Sequence, residues 1–322
     1  MRPNGPLRRP LGWVRSKNAN LFNFLTTEKG GPRFVREILG VVIVVLVLVV
    51  GLWVGTGQSF PDESPVVVVE SGSMMHCENG FQGVAKNCVA NHYGRLGTID
   101  PGDLILVKDI DNFEDIETLA GGDHSRYGKP GDVIVYYPRG DYSRTPIIHR
   151  ALLAVELYPN HTVSIPALGI EHATRVDAEI LIAAGIPASR TESLFNNIFN
   201  DCMAPAHGHP DGVHPEAEVY RGFITRGDNN ADIDIPSIAG LCPVKTEWVL
   251  GISRGEIPWI GLVKLAFTQM MTPDPVDPMH YARAPGDLKT LMWITVSVIF
   301  LGPMVVDKIR ARRHNAHADE EE

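Results

Sequence analysis

Residues Ile38–Phe60 form a run of 23 residues without a charge, with GVVIVVLVLVVGLWVG at its heart. As a helix this run would rise roughly 34 Å, enough to cross a hydrocarbon core of about 30 Å. Residues 38–60 are therefore expected to be a transmembrane helix, and a simple soluble protein is excluded. The run is long for the apolar part of a cleaved signal peptide, and no clean A-x-A site follows it, so an uncleaved anchor is expected. A second uncharged run, Thr290–Val306, holds 17 residues, at the short end for a span. Residues 290–306 are read as a second transmembrane helix, with a buried C-terminal helix as the alternative. Pro303 is expected to kink its last turn.

The flanks set an expected orientation. Residues 1–37 carry eight Lys/Arg against two Glu, and residues 307–322 carry four basic groups, Lys308, Arg310, Arg312 and Arg313. Basic flanks stay in the cytoplasm. Both tails, 1–37 and 307–322, are then cytoplasmic, and the body from about Gly57 to Asp287 lies outside an integral protein of the cell membrane. The basic N-terminal tail also suits anionic lipid headgroups, so the lipid bilayer is one expected partner. Residues 38–306 carry 17 Lys/Arg against 31 Asp/Glu. So acidic a body argues against a nucleic-acid surface, which needs clustered cations, and no nucleic acid is expected as a partner.

All four cysteines, Cys77, Cys88, Cys202 and Cys242, fall in the body. An even count outside the cytoplasm permits disulfides. Three pairings are possible. Cys77–Cys88 with Cys202–Cys242 closes the shortest loops and is the expected one; buried free thiols are the alternative.

Short β-rich runs recur along the body between turn signals. They are Val66–Val69, Leu104–Lys108, Val133–Tyr137, Ile147–Glu156, Thr162–Ile165, Phe223–Thr225 and Trp248–Ser253. Two Pro-Gly-Asp tripeptides, at 101–103 and 130–132, each precede one of these runs, as turns do. The expected class is mainly β, with an antiparallel body in two parts, 61–157 and 219–271. Between them, 158–218 reads as an insertion. It is partly helical, with helix-like apolar spacing over Val176–Ala184 and Thr191–Met203. Ile257–Met271 is apolar with one Lys, and is expected on the membrane surface or against the body. Residues 272–289 read as a Pro- and Asp-rich linker into the second span.

Three fragments could carry chemistry. Ser71-Gly72-Ser73-Met74 follows VVVVE directly, and a serine in such a turn can present its hydroxyl; most such sequences are ordinary turns. Ile147-Ile148-His149-Arg150 puts a histidine inside an apolar strand. Taken alone it is a satisfied core residue, but a free histidine pKa near 6.5 also suits a general base. Arg226-Gly227-Asp228-Asn229-Asn230-Ala231-Asp232-Ile233-Asp234 is a dense polar loop. It fails the calcium-loop pattern, having no Gly at the sixth position and no Glu at the twelfth. Together the three supply a nucleophile, Ser73, a base, His149, and an orienting acid from 228–234.

In this order the motifs resemble signal peptidase I, in its archaeal and endoplasmic-reticulum branch. The resemblance covers residues 64–111, 130–156 and 218–263. It is carried by S-G-S-M at 71–74, P-G-D at 101–103 and 130–132, I-I-H-R at 147–150, R-G-D-N-N at 226–230, and W-V-L-G…R-G-E-I-P-W-I-G at 248–261. It implies a membrane-bound serine endopeptidase that removes signal peptides from secretory preproteins after small residues, without a cofactor. It implies Ser73 as nucleophile, His149 as base and Asp234 as the orienting carboxylate. Asp228 matches a further aspartate of the site, and Ser71 a serine near the oxyanion hole. The chain departs from the pattern at His76, where proline is usual, and at Ile233, where an acid pair is usual. It departs again in the 78 residues between His149 and Asp228. The size of the insertion alone suggests a surface for the secretion channel or accessory subunits.

Two readings compete with this one. Cys202, His207, His209, Asp211 and His214 could hold zinc in a metal-dependent hydrolase, although H-E-x-x-H is absent and a solvated His-rich loop is the alternative. A membrane-anchored, non-catalytic binding protein is the other.

Overall fold

The structure is a computed structural model, and it describes residues 33–58, 64–76, 97–203, 219–235, 242–271 and 286–318. The chain divides into two compact units, Met1–Gly57 and Gln58–Glu322. In the first unit, helix α1 runs over Arg33–Thr56. Within it Leu39–Thr56 is long and apolar enough to cross a membrane. Val41, Leu46, Leu48 and Val54 are all exposed, an arrangement water would oppose and lipid would not.

The second unit is mainly antiparallel β-sheet. Its strands are β1 (Val66–Val68), β2 (Leu104–Lys108), the short pair β3 (Ser125–Arg126) and β4 (Lys129–Pro130), and β5 (Val133–Tyr136). They continue with β6 (Ile147–Leu157), β7 (Val163–Ile165), β8 (Ile170–Ala173), β9 (Tyr220–Arg226) and β10 (Val249–Ile257). The main sheet runs β1-β2-β10-β5-β6-β7-β8, with β9 also on β6 and every pairing antiparallel. The long strand β6 joins the two halves. Its first residues pair with β5, from Ile147↔Tyr136 to Arg150↔Val133, and the remainder pairs with β9.

Strand β5 shows why the continuous run VIVY forms a central strand. Successive side chains point to opposite faces. Val133 and Val135 join Val69, Met74, Ile99 and Ile105 in one buried cluster. Ile134 and Tyr136 join Ala151, Phe223, Trp248 and Ile252 in another. The same alternation continues across the register into β6, where Ile148 packs on the first cluster and Ile147 on the second.

The segment expected to be a partly helical insertion contains helices α2 (Ala178–Ala183) and α3 (Leu194–Ile198), and a π-helical turn over Phe199–Met203 continues α3 to the expected end at Met203. The segment also contributes β7 and β8, of which β8 left no clear sequence signal. These elements are built into the body. Val163, Ile165, Leu181, Leu194 and Ile198 share one core with Leu152 and Leu153 of β6, Ile224 of β9, and Ile233 and Ile235. Cys202 and Cys242 form a disulfide, with Cα atoms 5.6 Å apart. The expected partner pair, Cys77 and Cys88, lies outside the described residues.

Strand β10 runs to Ile257, four residues past the apolar run that marks it in the sequence, because its bulged second half pairs with β2. Helix α4 (Ile260–Met271) follows it and packs through Leu262 and Leu265 on Leu288 and Met292 of helix α5 (Gly286–Ala318). Thus 286–289 of the expected linker are helical, as is the tail to Ala318, and Pro303 does not end the helix. Among the described residues, only the Leu39–Thr56 segment is both long and apolar enough to be a candidate span.

Candidate active site

The turn holding Ser73 is set by packing on one side and by a loop on the other. The Met75 N–H donates to Gly72 O at 3.2 Å, closing the turn, and Met74 is buried among Val69, Ile99 and Val133. From the far side comes the loop after β9. The Asn229 backbone N–H donates to Ser73 O at 2.7 Å, and its side-chain amide donates to Gly72 O at 2.9 Å. Gly227 makes this approach possible, since a Cβ there would stand 2.6 Å from Ser73 O.

This brings together side chains far apart in the chain. His149 Nε2 lies 3.0 Å from Ser73 Oγ, and His149 Nδ1 lies 2.7 Å from Asp234 Oδ2. A carboxylate only accepts, so Nδ1 carries the proton and Nε2 turns its lone pair toward the serine hydroxyl. Ser73 is half-buried, whereas His149 and Asp234 are buried. The Ser71 hydroxyl stands 3.2 Å from Ser73 Oγ and is exposed.

Asp234 is held by two further donors, Thr225 Oγ1 at 2.5 Å and Tyr136 OH at 3.0 Å, both to the same Oδ2. Burial, and after it the charge of Asp234, pushes the Tyr136 phenol well above its usual pKa, so it remains a donor. The Asp234 N–H donates to Thr225 O at 3.0 Å. On either side Ile233 and Ile235 are each 1% exposed in the core shared with the insertion. This explains the departure at 233: an acid there would be buried among Leu181, Leu194 and Ile198, at a high cost in solvation. Arg190 of the insertion forks onto Asp232 beside them.

Asp228 serves a different partner. Arg150, next to His149 in β6, is fully buried and donates Nε to Asp228 Oδ1 at 2.9 Å and Nη2 to Oδ2 at 2.7 Å. Its other N–H groups reach the carbonyls of Arg126 and Gly131 at 3.0 and 2.7 Å, binding the second Pro-Gly-Asp turn to the same centre. His76 Nε2 is 2.7 Å from Asp228 Oδ2, and Lys129 Nζ is 3.7 Å from Oδ1. Burial works against the Asp228 charge, but the hydrogen bonds from Arg150 and His76 outweigh it and hold the pKa far below the carboxylate range.

Ser71, Ser73, His149 and Asp234 thus form one constellation, and Asp228 supports it through Arg150 and the loop. The sequence did not mark out Tyr136 or Thr225; it marked His76 only as a departure from the motif, and gave Asn229 and Arg150 no role. One signal was present: an arginine in an apolar strand needs a buried acid. His207, His209, Asp211 and His214 lie outside the described residues. Cys202, in its disulfide, is not a thiolate ligand. Among the described residues no group of three or more His, Cys, Asp and Glu is placed to hold a metal ion.

A scan against protein-family models finds no match, and a search of the curated proteins finds no significant relative. The functional reading therefore rests on the motifs and on the geometry.

Chemically, a hydroxyl, an imidazole and a carboxylate in hydrogen-bonded series can move a proton off the hydroxyl as it attacks a carbonyl, and return it to a leaving group.

Proposed function

We propose that the protein is a membrane-anchored serine endopeptidase of signal-peptidase type. The observation that carries this reading is the series Ser73 Oγ to His149 Nε2 at 3.0 Å and His149 Nδ1 to Asp234 Oδ2 at 2.7 Å. The motif resemblance supplies the substrate class, secretory preproteins cut after small residues. Helix α1 would anchor the protein, the basic flanks would keep both termini inside, and α5, with its uncharged Thr290–Val306, would be a second span. Ser73 follows Phe60 by 13 residues, a tether of at most about 45 Å when extended. The site would then lie near the outer face, where a signal peptide's cleavage site emerges.

In this mechanism His149 takes the Ser73 proton as Oγ adds to the scissile carbonyl carbon. The developing oxyanion accepts a hydrogen bond from the Ser73 N–H and from the Ser71 hydroxyl. The C–N bond breaks as protonated His149 gives its proton to the leaving amine, which leaves an acyl ester on Ser73. Water, deprotonated by His149, adds to the ester, and Ser73 departs with its proton restored. Asp234 holds the imidazole tautomer and its positive charge, and is itself held by Tyr136 and Thr225.

The test is cleavage of a preprotein by purified wild-type and Ser73→Ala protein in liposomes, with the new N-terminus read by mass spectrometry. The expected result is a single cut after a small-x-small site, lost in Ser73→Ala and indifferent to chelator. Cleavage that persists in Ser73→Ala, or that chelator abolishes, would overturn the reading.

A further inference from the structure

We infer that His76 is a positioning residue that latches the nucleophile turn onto the loop carrying Asp228. The inference rests on the proposed role of Ser73 only for its kinetic consequence. His76 stands three residues after Ser73, at a site where the motif resemblance leads one to expect proline, and its side chain is 23% exposed. A proline there would offer Asp228 no donor. The imidazole instead donates from Nε2 to Asp228 Oδ2 at 2.7 Å.

The contact closes a ring. Asn229 holds the front of the turn through Ser73 O and Gly72 O, the Asp228 N–H lies 3.3 Å from Met74 Sδ, and His76 holds the back of the turn to the Asp228 carboxylate. That carboxylate is gripped by Arg150, whose chain neighbour is His149. The path from nucleophile to base therefore runs Ser73, His76, Asp228, Arg150, His149, and each link is a covalent segment or a bond of ordinary hydrogen-bond length. Lys129 faces Asp228 Oδ1 from the other side at 3.7 Å. Cutting the ring at His76 removes one of the four contacts between turn and loop and leaves the buried Arg150–Asp228 pair in place. The loss should appear as a turn that wanders rather than as a body that unfolds.

The experiment uses the full chain in liposomes as wild type, His76→Ala and His76→Gln, whose amide can still donate to Asp228. Amide exchange is read at Asn229, whose N–H bonds Ser73 O, and along strand β6, alongside preprotein turnover. Local opening that frees Asn229 raises its exchange without touching core strands. Expected for His76→Ala are a rise of about tenfold or more at Asn229, unchanged exchange in β6, and kcat down by about tenfold with KM within about twofold. His76→Gln should return both readouts to within about threefold of wild type. Unchanged exchange at Asn229 in His76→Ala would overturn the latch, as would exchange that rises equally in β6. A wild type that cleaves nothing, with exchange at Asn229 still raised in His76→Ala, would support the latch and refute the proposed function.

Discussion

Asp228 and Asp234 stand six residues apart on one loop and grip adjacent residues of strand β6, Asp228 taking Arg150 and Asp234 taking His149. Consecutive strand residues face opposite ways, so the two acids work on opposite faces of the sheet. One loop therefore carries both the acid of a buried ion pair and the acid of the proposed proton relay.

That separation predicts opposite phenotypes. Asp234→Asn should leave folding nearly intact and lower kcat by about 10³–10⁴-fold, because the amide favours the wrong imidazole tautomer. Asp228→Asn should leave a fully buried guanidinium without its counter-charge and cost about 3–5 kcal/mol of stability. Thermal unfolding and single-turnover cleavage of both variants check this. A stable Asp228→Asn with the larger kinetic defect would exchange the two roles.

Ser71 tests the oxyanion assignment. Its hydroxyl is 3.2 Å from Ser73 Oγ and exposed, so removing it should scarcely alter stability. If it donates to the oxyanion, Ser71→Ala lowers kcat by about 10²-fold or more, with little change in KM. An unchanged kcat would leave the Ser73 N–H without this companion.

A third prediction concerns pH. Burial is the main cause raising Asp103 to about 8 and Glu256 to about 7; the charge of nearby Asp100 adds to it, and backbone N–H donors oppose it. The folded protein thus keeps protons that the unfolded chain releases near pH 4. The stability these groups contribute is full below that pH and is lost as pH rises through about 7 to 8. Glu256→Gln keeps an acceptor for the Gly97 N–H and removes the charge. Its melting temperature relative to wild type should rise between pH 5 and pH 8.5. A constant difference would show that Glu256 is ionised throughout.

The Cys202–Cys242 disulfide closes a loop that contains β9 and the segment carrying Asp228 and Asp234. Replacing both cysteines by alanine should cost about 2–4 kcal/mol. It should also lower kcat, because Ile233 and Ile235 share the core in which both cysteines are buried. Non-reducing peptide mapping should recover the linked pair. Two alkylated thiols at 202 and 242 would contradict it.

Some of this is written in local sequence. An uncharged run of 23 residues announces a long apolar helix, because length and hydropathy are properties of the run itself, and α1 covers that run as far as Thr56. VIVY and IIHRALLAVEL announce strands by their β-branched content, and the Pro-Gly-Asp turns mark where two of the strands begin. The serine, histidine and acidic loop could be named because their fragments, each ordinary alone, follow one another in the order of a motif set. Other features depended on register and packing between segments far apart. Nothing near Asp234 indicates that Tyr136 and Thr225 will meet its carboxylate, and nothing near His76 indicates Asp228, 152 residues away. The helix-like apolar spacing of the insertion shows which of its residues face a core but not which core, and its side chains complete the one that flanks Asp234. Local propensity fixes backbone states residue by residue. Which side chains share a buried volume is settled only when the sheet closes and polar groups removed from water must find partners within reach.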